Sequence, residues 1–377
     1  MLYRKFGKTG LDVSILGFGC MRFPTLKGKN EIIDHDKTVK MLNYAIENGV
    51  NFLDTGYTYH NGASEPFLGK YLNEEKKKKV YLSTKIPSWN IRKREDLDSY
   101  LDEQLKNLQT ETIDVYLVHN LNQKYWPNLE KADIFKFLDE AQSAGKIKYT
   151  GFSFHDNLEF FMEVVDLYSW DMTMIQYSYM DEDYQAGREG IRYASSQGLG
   201  VAVMEPLRGG ALANIPEDIK SIWNEAENTH DPAEWAFRYI WDNPDVDIVF
   251  SGMSSLEQVQ NNIRYAQNGY PKKLTPDEKY LVKEVKMAFN DRIMVECTSC
   301  GYCMPCPEGV NIPQCFMHYN NAHIYDDVEN ESMHYFVLLK DEERASNCNE
   351  CGECENLCPQ MIRIKEELRK VKETFKE

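Results

Sequence analysis

Several features are scarce or missing in this 377-residue sequence, and each absence narrows the class of protein. No run of about 18 apolar residues occurs, and the opening MLYRKFGKTGLDV has no apolar core, so neither a membrane span nor a signal peptide is predicted. Basic residues are outnumbered, 43 Lys and Arg against 60 Asp and Glu, and the formal charge of -17 disfavours nucleic acid and anionic membranes as partners. We therefore expect a cytoplasmic protein that binds neither.

Cysteine is almost absent from the first three quarters of the chain. Cys20 is the only cysteine before Cys297, and all the others lie between Cys297 and Cys358. Thiols of a cytosolic protein are kept reduced, so disulfides explain this concentration poorly. A metal centre in the last quarter of the chain explains it better.

Short apolar runs alternate with helix-length amphipathic stretches from about residue 13 to residue 290. Repeated βα units of this spacing predict a closed (β/α)8 TIM barrel. An open doubly wound sheet is the alternative, and the lack of a GxGxxG motif after the first run, which reads GFGCMR, disfavours it. The strand-like runs cover residues 13–19, 51–55, 80–85, 114–119, 149–154, 172–179, 199–204 and 247–252.

Titratable residues end three of the predicted strands. Asp54, Lys85 and His119 stand there, and Tyr59 follows on the loop after Asp54. Each alone could cap a helix, reach solvent or pack, but the carboxyl ends of barrel strands share one active-site face. A tyrosine titrates near pH 10, so we expect the ammonium to lower the pKa of the phenol and the carboxylate to hold the ammonium. His119 would then orient a carbonyl oxygen.

These segments resemble the aldo-keto reductase family over about residues 1 to 290. The resemblance rests on the order and spacing of FLDTGYTYHNGASEPFLGKYL, YLSTK, DVYLVHN, GFSFH, IQYSY and MEPLRGG. It implies an NAD(P)(H)-dependent oxidoreductase in which hydride passes between nicotinamide and a carbonyl carbon while a tyrosine supplies or removes the proton. It also implies a catalytic tetrad of Asp54, Tyr59, Lys85 and His119.

The same resemblance implies where the cofactor binds. Nicotinamide contacts are implied for Ser153, Gln176 and Met204, and contacts to the adenosine phosphate end for Ser254, Ser255, Gln258 and Asn262. Gly252 and Gln258 stand where NADP-preferring members carry a lysine and an arginine, so NADP and NAD both stay open. Ser254 and Ser255 could instead cap the following helix.

Large aromatic residues lie on the predicted loops after the second, third and fourth strands. They are Tyr57, Trp89, Tyr125 and Trp126. In a barrel enzyme such residues shape a substrate pocket, or else they pack over the barrel rim.

Two cysteine motifs occupy the last quarter of the chain. The first comprises Cys297, Cys300, Cys303 and Cys306, and the second comprises Cys348, Cys351, Cys354 and Cys358. The second motif has the CxxCxxCxxxCP spacing of bacterial iron-sulfur runs, in which three thiolates bind one [4Fe-4S] cluster and the fourth binds the other. Zinc is the alternative metal, but it favours CxxC pairs.

The two motifs resemble dicluster ferredoxin domains of a mostly helical kind. The expected organisation is a barrel over residues 1–290 and an iron-sulfur domain over residues 291–377, which ends in IRIKEELRKVKETFKE, an expected exposed helix of mixed charge. Crossed fourth ligands imply one cluster on Cys297, Cys300, Cys303 and Cys358, and another on Cys348, Cys351, Cys354 and Cys306. Cys315 is the alternative to Cys306, because the first motif has only two residues before its CP.

The sequence thus predicts a carbonyl reductase or alcohol dehydrogenase that acts on a small molecule and carries two [4Fe-4S] clusters. A hydride carries two electrons and each cluster passes one, and no flavin motif is found in the sequence. An unrecognised flavin or a redox partner protein could connect the two, or the clusters could be structural. The alternative function is an electron-transfer module whose barrel docks a redox partner or only senses nicotinamide.

Overall fold

The computed structural model describes residues 1–297, 301–358 and 360–377. These residues form two compact units, one of Met1–Leu212 with Ala233–Leu274 and the other of Ala213–Pro232 with Thr275–Glu377. The domain boundary expected at residue 290 stays a prediction. Within the described ranges, no helix has both the length and the apolar character needed to cross a membrane.

The first unit is a closed barrel of eight parallel strands, which confirms the predicted fold class. The last strand closes the barrel on the first, with Val249 paired to Leu16 and Gly252 to Gly19. The strands are β1 (Leu16–Gly19), β2 (Phe52–Asp54), β3 (Tyr81–Pro87), β4 (Ile113–Leu121), β5 (Ile147–Phe154), β6 (Met172–Gln176), β7 (Gly200–Met204) and β8 (Ile248–Gly252).

Large apolar side chains fill the interior of the barrel. Phe52 packs edge-on against Phe6 at 5.8 Å and against Phe250 at 5.1 Å between ring centroids. Phe6 lies between the strands of an antiparallel hairpin, Tyr3–Lys5 and Asp12–Ser14, that precedes the barrel. Because the interior is solid, chemistry is confined to the carboxyl ends of the strands.

Helices connect the strands, as the alternating pattern predicts. Several begin with a side-chain cap: Asp34, Asn157 and Ser255 each accept a hydrogen bond from a backbone N–H of the first turn. The helices are His35–Glu47, Ser64–Tyr71, Glu74–Lys77, Arg94–Asn107, Trp126–Lys131, Ile134–Ser143, Leu158–Leu167, Gly187–Ser196, Pro232–Asp242 and Leu256–Ala266.

The second unit is mostly helical. Its helices are Glu217–Trp223, Pro276–Asn290, Ile312–Ile324, Val328–Leu338, Glu353–Leu357 and Ile364–Phe375. The last helix lies in the predicted mixed-charge segment, but it is amphipathic: Ile364, Leu368, Val371 and Phe375 are buried in the core of this unit. The expectation of a merely exposed helix is therefore wrong, because every third or fourth residue is apolar and packs inward.

Candidate active site and cysteine cavities

The four tetrad residues meet at one end of the barrel. Asp54 ends β2, Lys85 lies in β3 and His119 lies in β4, whereas Tyr59 begins the 3-10 turn Tyr59–Gly62 after β2. Lys85 Nζ donates to Asp54 Oδ1 at 2.7 Å, to Asp54 Oδ2 at 2.6 Å and to the Tyr59 hydroxyl oxygen at 3.1 Å. The ammonium thus links the carboxylate to the phenol.

The Lys85 ammonium is held almost completely out of solvent. Lys85 is 1% exposed and Asp54 is 3% exposed. Burial alone would lower the pKa of Lys85, but the Asp54 carboxylate and Tyr59 raise it above its usual value. Lys85 therefore remains charged near neutral pH, and Ser83 Oγ supports the arrangement by donating to Asp54 Oδ1 at 2.7 Å.

The expected lowering of the tyrosine pKa is not what the structure shows. Burial raises the pKa of Tyr59 above its usual value, and the Lys85 ammonium opposes this shift without cancelling it. The expectation was wrong because it weighed the neighbouring charge and ignored the loss of solvent around the hydroxyl. Tyr59 is therefore a neutral phenol near pH 7, with a proton to give.

His119 lies beside this phenol as a neutral imidazole. Burial, with a smaller contribution from the Lys85 charge, lowers the pKa of His119 well below its usual value. Its ring centroid is 6.0 Å from that of Tyr59, and its buried Nδ1 atom has no hydrogen-bond partner in the described part of the chain.

The loop that carries Tyr59 is shaped by a glycine. The Tyr59 backbone N–H donates to the Gly56 carbonyl at 3.0 Å, and the Tyr59 ring then lies over Gly56. A Cβ atom at position 56 would stand 3.1 Å from that ring. A larger residue there would press on the phenol.

The residues implied for nicotinamide binding lie at the same ends of neighbouring strands. Gln176 ends β6 and is paired in register with Met204, which ends β7. Ser153 lies near the end of β5, is buried, and its Oγ accepts the Asn120 backbone N–H at 2.9 Å. The barrel thus brings Ser153, Gln176 and Met204 to the end that carries the tetrad.

The residues implied for the phosphate end follow β8, and most are already engaged. Ser255 Oγ accepts the Gln258 backbone N–H at 3.2 Å and so caps Leu256–Ala266, whereas Gln258 Oε1 accepts the Ser254 backbone N–H at 2.7 Å. Asn262 is buried and donates to Ser251 Oγ at 3.2 Å. The capping alternative for Ser255 is therefore present, and a phosphate contact stays a prediction.

Arg22 is a residue that sequence reasoning missed. Its side chain runs along Gly252, where a Cβ would stand 3.0 Å from Arg22 Cδ, and one guanidinium nitrogen points toward Gly209. Within residues 1–297, 301–358 and 360–377, the guanidinium makes no hydrogen bond or ion pair. No sequence signal marks Arg22, because Gly209 and Gly252, which lie against its side chain, are far from it and from each other in sequence.

Two of the four aromatic residues lie near the tetrad, and the other two pack elsewhere. Trp89 packs on His119 at 5.0 Å between ring centroids, and Tyr125 lies 6.5 Å from Trp89. Trp126 is buried against Phe135 and Phe160, and Tyr57 packs on Tyr100 and bonds Glu103. Only Trp89 and Tyr125 are therefore linked by ring contacts to a tetrad residue.

In the second unit, the described cysteines of the two motifs line two cavities. One cavity is lined by Cys297, Cys303 and Cys358 together with apolar residues. The other is lined by Cys306, Cys348, Cys351 and Cys354, and Cys303 lines this cavity as well. Because Cys303 lines both cavities, the crossed ligand sets stay a prediction, and Cys300 lies outside the described residues.

Cys306 and Cys315 differ in their surroundings. Cys306 lines the second cavity, whereas Cys315 is fully buried near the Tyr335 hydroxyl and lines neither cavity. Burial raises the pKa of the Cys315 thiol to about 12, but it also raises that of Cys354, a cavity cysteine, to about 11, so position and not acidity separates Cys315 from the cavity cysteines. Among the described side chains, no three His, Cys, Asp or Glu converge closely enough to hold a single metal ion.

Comparison with known proteins agrees with both parts of this description. Residues 15–275 match the Aldo/keto reductase family, and residues 296–362 match the 4Fe-4S dicluster domain. The structure resembles aldo-keto reductase AKR11C1 from Bacillus halodurans in its holo form, with a TM-score of 0.64 and 25% identity, covering 76% of this chain and 96% of that one.

Two curated relatives support the same assignment. "Uncharacterized oxidoreductase YqkF" of Bacillus subtilis is 25% identical over 309 residues, 74% of this chain and 94% of the relative. "Probable aldo-keto reductase 1" of Glycine max is 27% identical over 227 residues, 56% of this chain but only 63% of the relative.

The barrel, the converging strand ends and a family match over residues 15–275 lead to one conclusion. The chain belongs to the aldo/keto reductase family of NAD(P)H-dependent oxidoreductases and carries a C-terminal 4Fe-4S dicluster domain.

Proposed function

We propose that the protein interconverts a small aldehyde or ketone and the corresponding alcohol, with Tyr59 as the general acid and base. The observation that carries this proposal is the 3.1 Å contact from Lys85 Nζ to the Tyr59 hydroxyl oxygen, with Asp54 behind the ammonium. When bound, NADP or NAD supplies or accepts the hydride at its nicotinamide ring.

The contact with Lys85 decides where the tyrosine proton can go. Because the ammonium donates to the hydroxyl oxygen, the O–H of Tyr59 points elsewhere and can donate to a carbonyl oxygen. As that oxygen becomes an alkoxide, a stronger base than a phenolate, the proton transfers to it. The buried ammonium then stabilises the phenolate that remains.

His119 is proposed to hold the carbonyl oxygen against Tyr59. As a neutral imidazole it carries one N–H that can donate to this oxygen, and its low pKa keeps it from competing as the acid. Trp89, packed on the imidazole, and Tyr125 beyond it would form one wall of the substrate pocket.

The cofactor would lie across the ends of β5 to β8. Ser153, Gln176 and Met204 would contact the nicotinamide, and Ser254, Ser255, Gln258 and Asn262 would line the phosphate end. Among the described residues the guanidinium of Arg22 has no bonding partner, and its aliphatic stem runs along Gly252; both observations support an anionic group at that end. The choice between NADP and NAD would depend on whether this arginine reaches a 2′-phosphate.

We propose two [4Fe-4S] clusters in the second unit, one in each cysteine cavity. The expected ligands are Cys297, Cys300, Cys303 and Cys358 for one, and Cys306, Cys348, Cys351 and Cys354 for the other. Thiolate ligands at these spacings fit such clusters, and reduced thiols suit a protein of the cytoplasm. Cys351 is exposed, which favours exchange of single electrons with a redox partner protein over a purely structural role.

Turnover of a panel of aldehydes and ketones with NADH and with NADPH tests the enzyme proposal. We expect Tyr59→Phe to lower kcat by about 10²-fold or more, since general acid catalysis contributes on that order. Tyr57→Phe is the matched control, because Tyr57 bonds Glu103 and packs on Tyr100. An undiminished rate in Tyr59→Phe would remove this tyrosine from its role.

A further inference from the structure

The residue after Tyr59 is a buried histidine with both ring nitrogens engaged. His60 is 2% exposed, and its Nε2 accepts the Phe23 backbone N–H at 3.1 Å. Since a backbone N–H can only donate, Nε2 carries no proton and Nδ1 does. Nδ1 therefore donates to the Asn30 carbonyl at 2.8 Å, and the ring is a neutral imidazole with both nitrogens satisfied.

These bonds hold a backbone conformation that the chain would not adopt unaided. His60 has a φ of 54° and Asn61 a φ of 53°, both in the left-handed region. A residue with a Cβ enters this region at a cost in free energy, which neighbouring contacts must offset. The two side-chain hydrogen bonds of His60 supply such contacts directly beside the proposed acid.

The histidine also joins the Tyr59 turn to the long connection between β1 and the first helix. Its ring stacks on Phe23, with centroids 5.6 Å apart and an interplanar angle of 15°. The connection also carries a β-bridge between Thr25 and Ile33, and Asn61 Nδ2 of the turn donates to Glu31 Oε2 at 3.4 Å. His60 adds the two shorter bonds by which the turn and this connection hold one another in place.

We propose that His60 is a positioning residue, which keeps the Tyr59 hydroxyl within reach of Lys85 and of the substrate carbonyl. This inference rests on the proposed function, in which Tyr59 transfers the proton. The Tyr59 backbone is fixed on one side by its bond to Gly56, and His60 fixes it on the other. Without the bond to Phe23, the turn is no longer held against this connection, and it can shift and carry the hydroxyl away from Lys85.

Two substitutions separate the side-chain bond from the backbone preference. Asparagine adopts the left-handed region more readily than most residues, but its side chain is too short to reach the Phe23 N–H. His60→Asn therefore loses the proposed contact. The amide of glutamine reaches about as far as Nε2 and can accept the Phe23 N–H, although its backbone preference is worse. If the side-chain bond positions Tyr59, His60→Gln should keep the catalytic rate and His60→Asn should lose it. Backbone preference alone predicts the opposite order.

The measurements are steady-state kinetics with a reducible aldehyde, fluorescence titration of NADPH binding, and the solvent deuterium isotope effect on kcat. For His60→Asn we expect kcat to fall about tenfold or more, because a misplacement of about 1 Å can cost 10²-fold. KM and the cofactor Kd should change by less than about threefold, and the isotope effect should rise as proton transfer becomes slower. His60→Gln should stay within about threefold of wild type.

Controls make the failure of this inference distinct from failure of the proposed function. His35→Asn changes an exposed histidine and should match wild type. If Tyr59→Phe is inactive while His60→Asn keeps the wild-type kcat and isotope effect, the positioning role is refuted and the acid role stands. If Tyr59→Phe is fully active, the acid role falls first. Equal losses in His60→Asn and His60→Gln would also refute positioning through Phe23.

Discussion

At Tyr59 two physical effects act on one hydroxyl in opposite directions. Burial raises the pKa of the phenol, and the Lys85 ammonium lowers it by a smaller amount. The ammonium therefore matters most after the proton has left, when it faces a phenolate. The sequence indicates the neighbouring charge, but the loss of solvent depends on how the barrel packs around the site.

The substitution Lys85→Met tests the role of the ammonium charge. Removing the charge leaves the Asp54 carboxylate buried without its partner, so we expect a loss of stability of about 3–5 kcal/mol. The phenolate also loses its stabilising charge, so kcat should fall by about 10²-fold or more. Thermal unfolding and steady-state kinetics check both effects, with Lys372→Met on the C-terminal helix as an exposed control. A variant that keeps both stability and kcat would contradict the proposed role of Lys85.

The pH dependence of carbonyl reduction follows from the same residues. The pKa of His119 is lowered from 6.5, so the imidazole becomes protonated only below pH 6.5. The pKa of Tyr59 is raised from 10.0, so the phenol loses its proton only above pH 10. We therefore expect kcat to stay level between about pH 6.5 and 10. A steep fall inside this window, in a buffer series at constant ionic strength, would show that the titrating group is not one of these two.

Residue patterns predicted the four side chains that meet at the barrel end, but not all of their neighbours. Asp54, Lys85 and His119 could be predicted because each interrupts an apolar strand at its end. Arg22 and His60 could not, because their partners, Gly252 for one and Phe23 and Asn30 for the other, are brought near only by folding.

At the scale of elements, the barrel strands were the most predictable feature. Their apolar runs are buried on both faces, so periodicity and turn residues delimit them closely. The helix Ile364–Phe375 was harder to interpret, since charged residues surround its buried stripe. The local sequence does not reveal that this helix is buried, because its burial depends on the helix Ile312–Ile324, which packs against it.

The loop after β8 offers a test at this scale. If Ser255 only caps Leu256–Ala266, Ser255→Ala should cost about 1 kcal/mol of stability and leave the cofactor Kd unchanged. If Ser255 also contacts a phosphate, the Kd for NADPH should rise by about an order of magnitude. Fluorescence titration beside thermal unfolding separates the two, and Ser196→Ala, an exposed serine at a helix end, serves as the control.

At the scale of the whole molecule, two electron-transfer chemistries share one chain. Hydride moves electrons in pairs, and iron-sulfur clusters move them singly. The sequence predicts both parts because their motifs are local, but electron exchange between them is a property of the assembled protein that no motif encodes.

The anaerobically purified protein tests this division. We expect about eight iron atoms per chain and a brown colour that dithionite bleaches. NADH or NADPH alone should leave the cluster absorbance unchanged, because a hydride carries two electrons, each cluster accepts one, and the sequence has no flavin motif. Rapid bleaching by either nucleotide would contradict this expectation and would indicate a converter such as a flavin. Alkylated protein, in which the cysteines cannot bind iron, is the control.

The most direct test of Tyr59 as the proton donor is a single-turnover experiment with Tyr59→Phe, in which cofactor-loaded enzyme is mixed with an aldehyde and nicotinamide absorbance is followed. We expect wild type and Tyr57→Phe to consume the reduced nicotinamide rapidly. Tyr59→Phe should still bind cofactor with the wild-type Kd but consume it at least about 10²-fold more slowly. Consumption by Tyr59→Phe at the wild-type rate would contradict the assignment of Tyr59 as the proton donor.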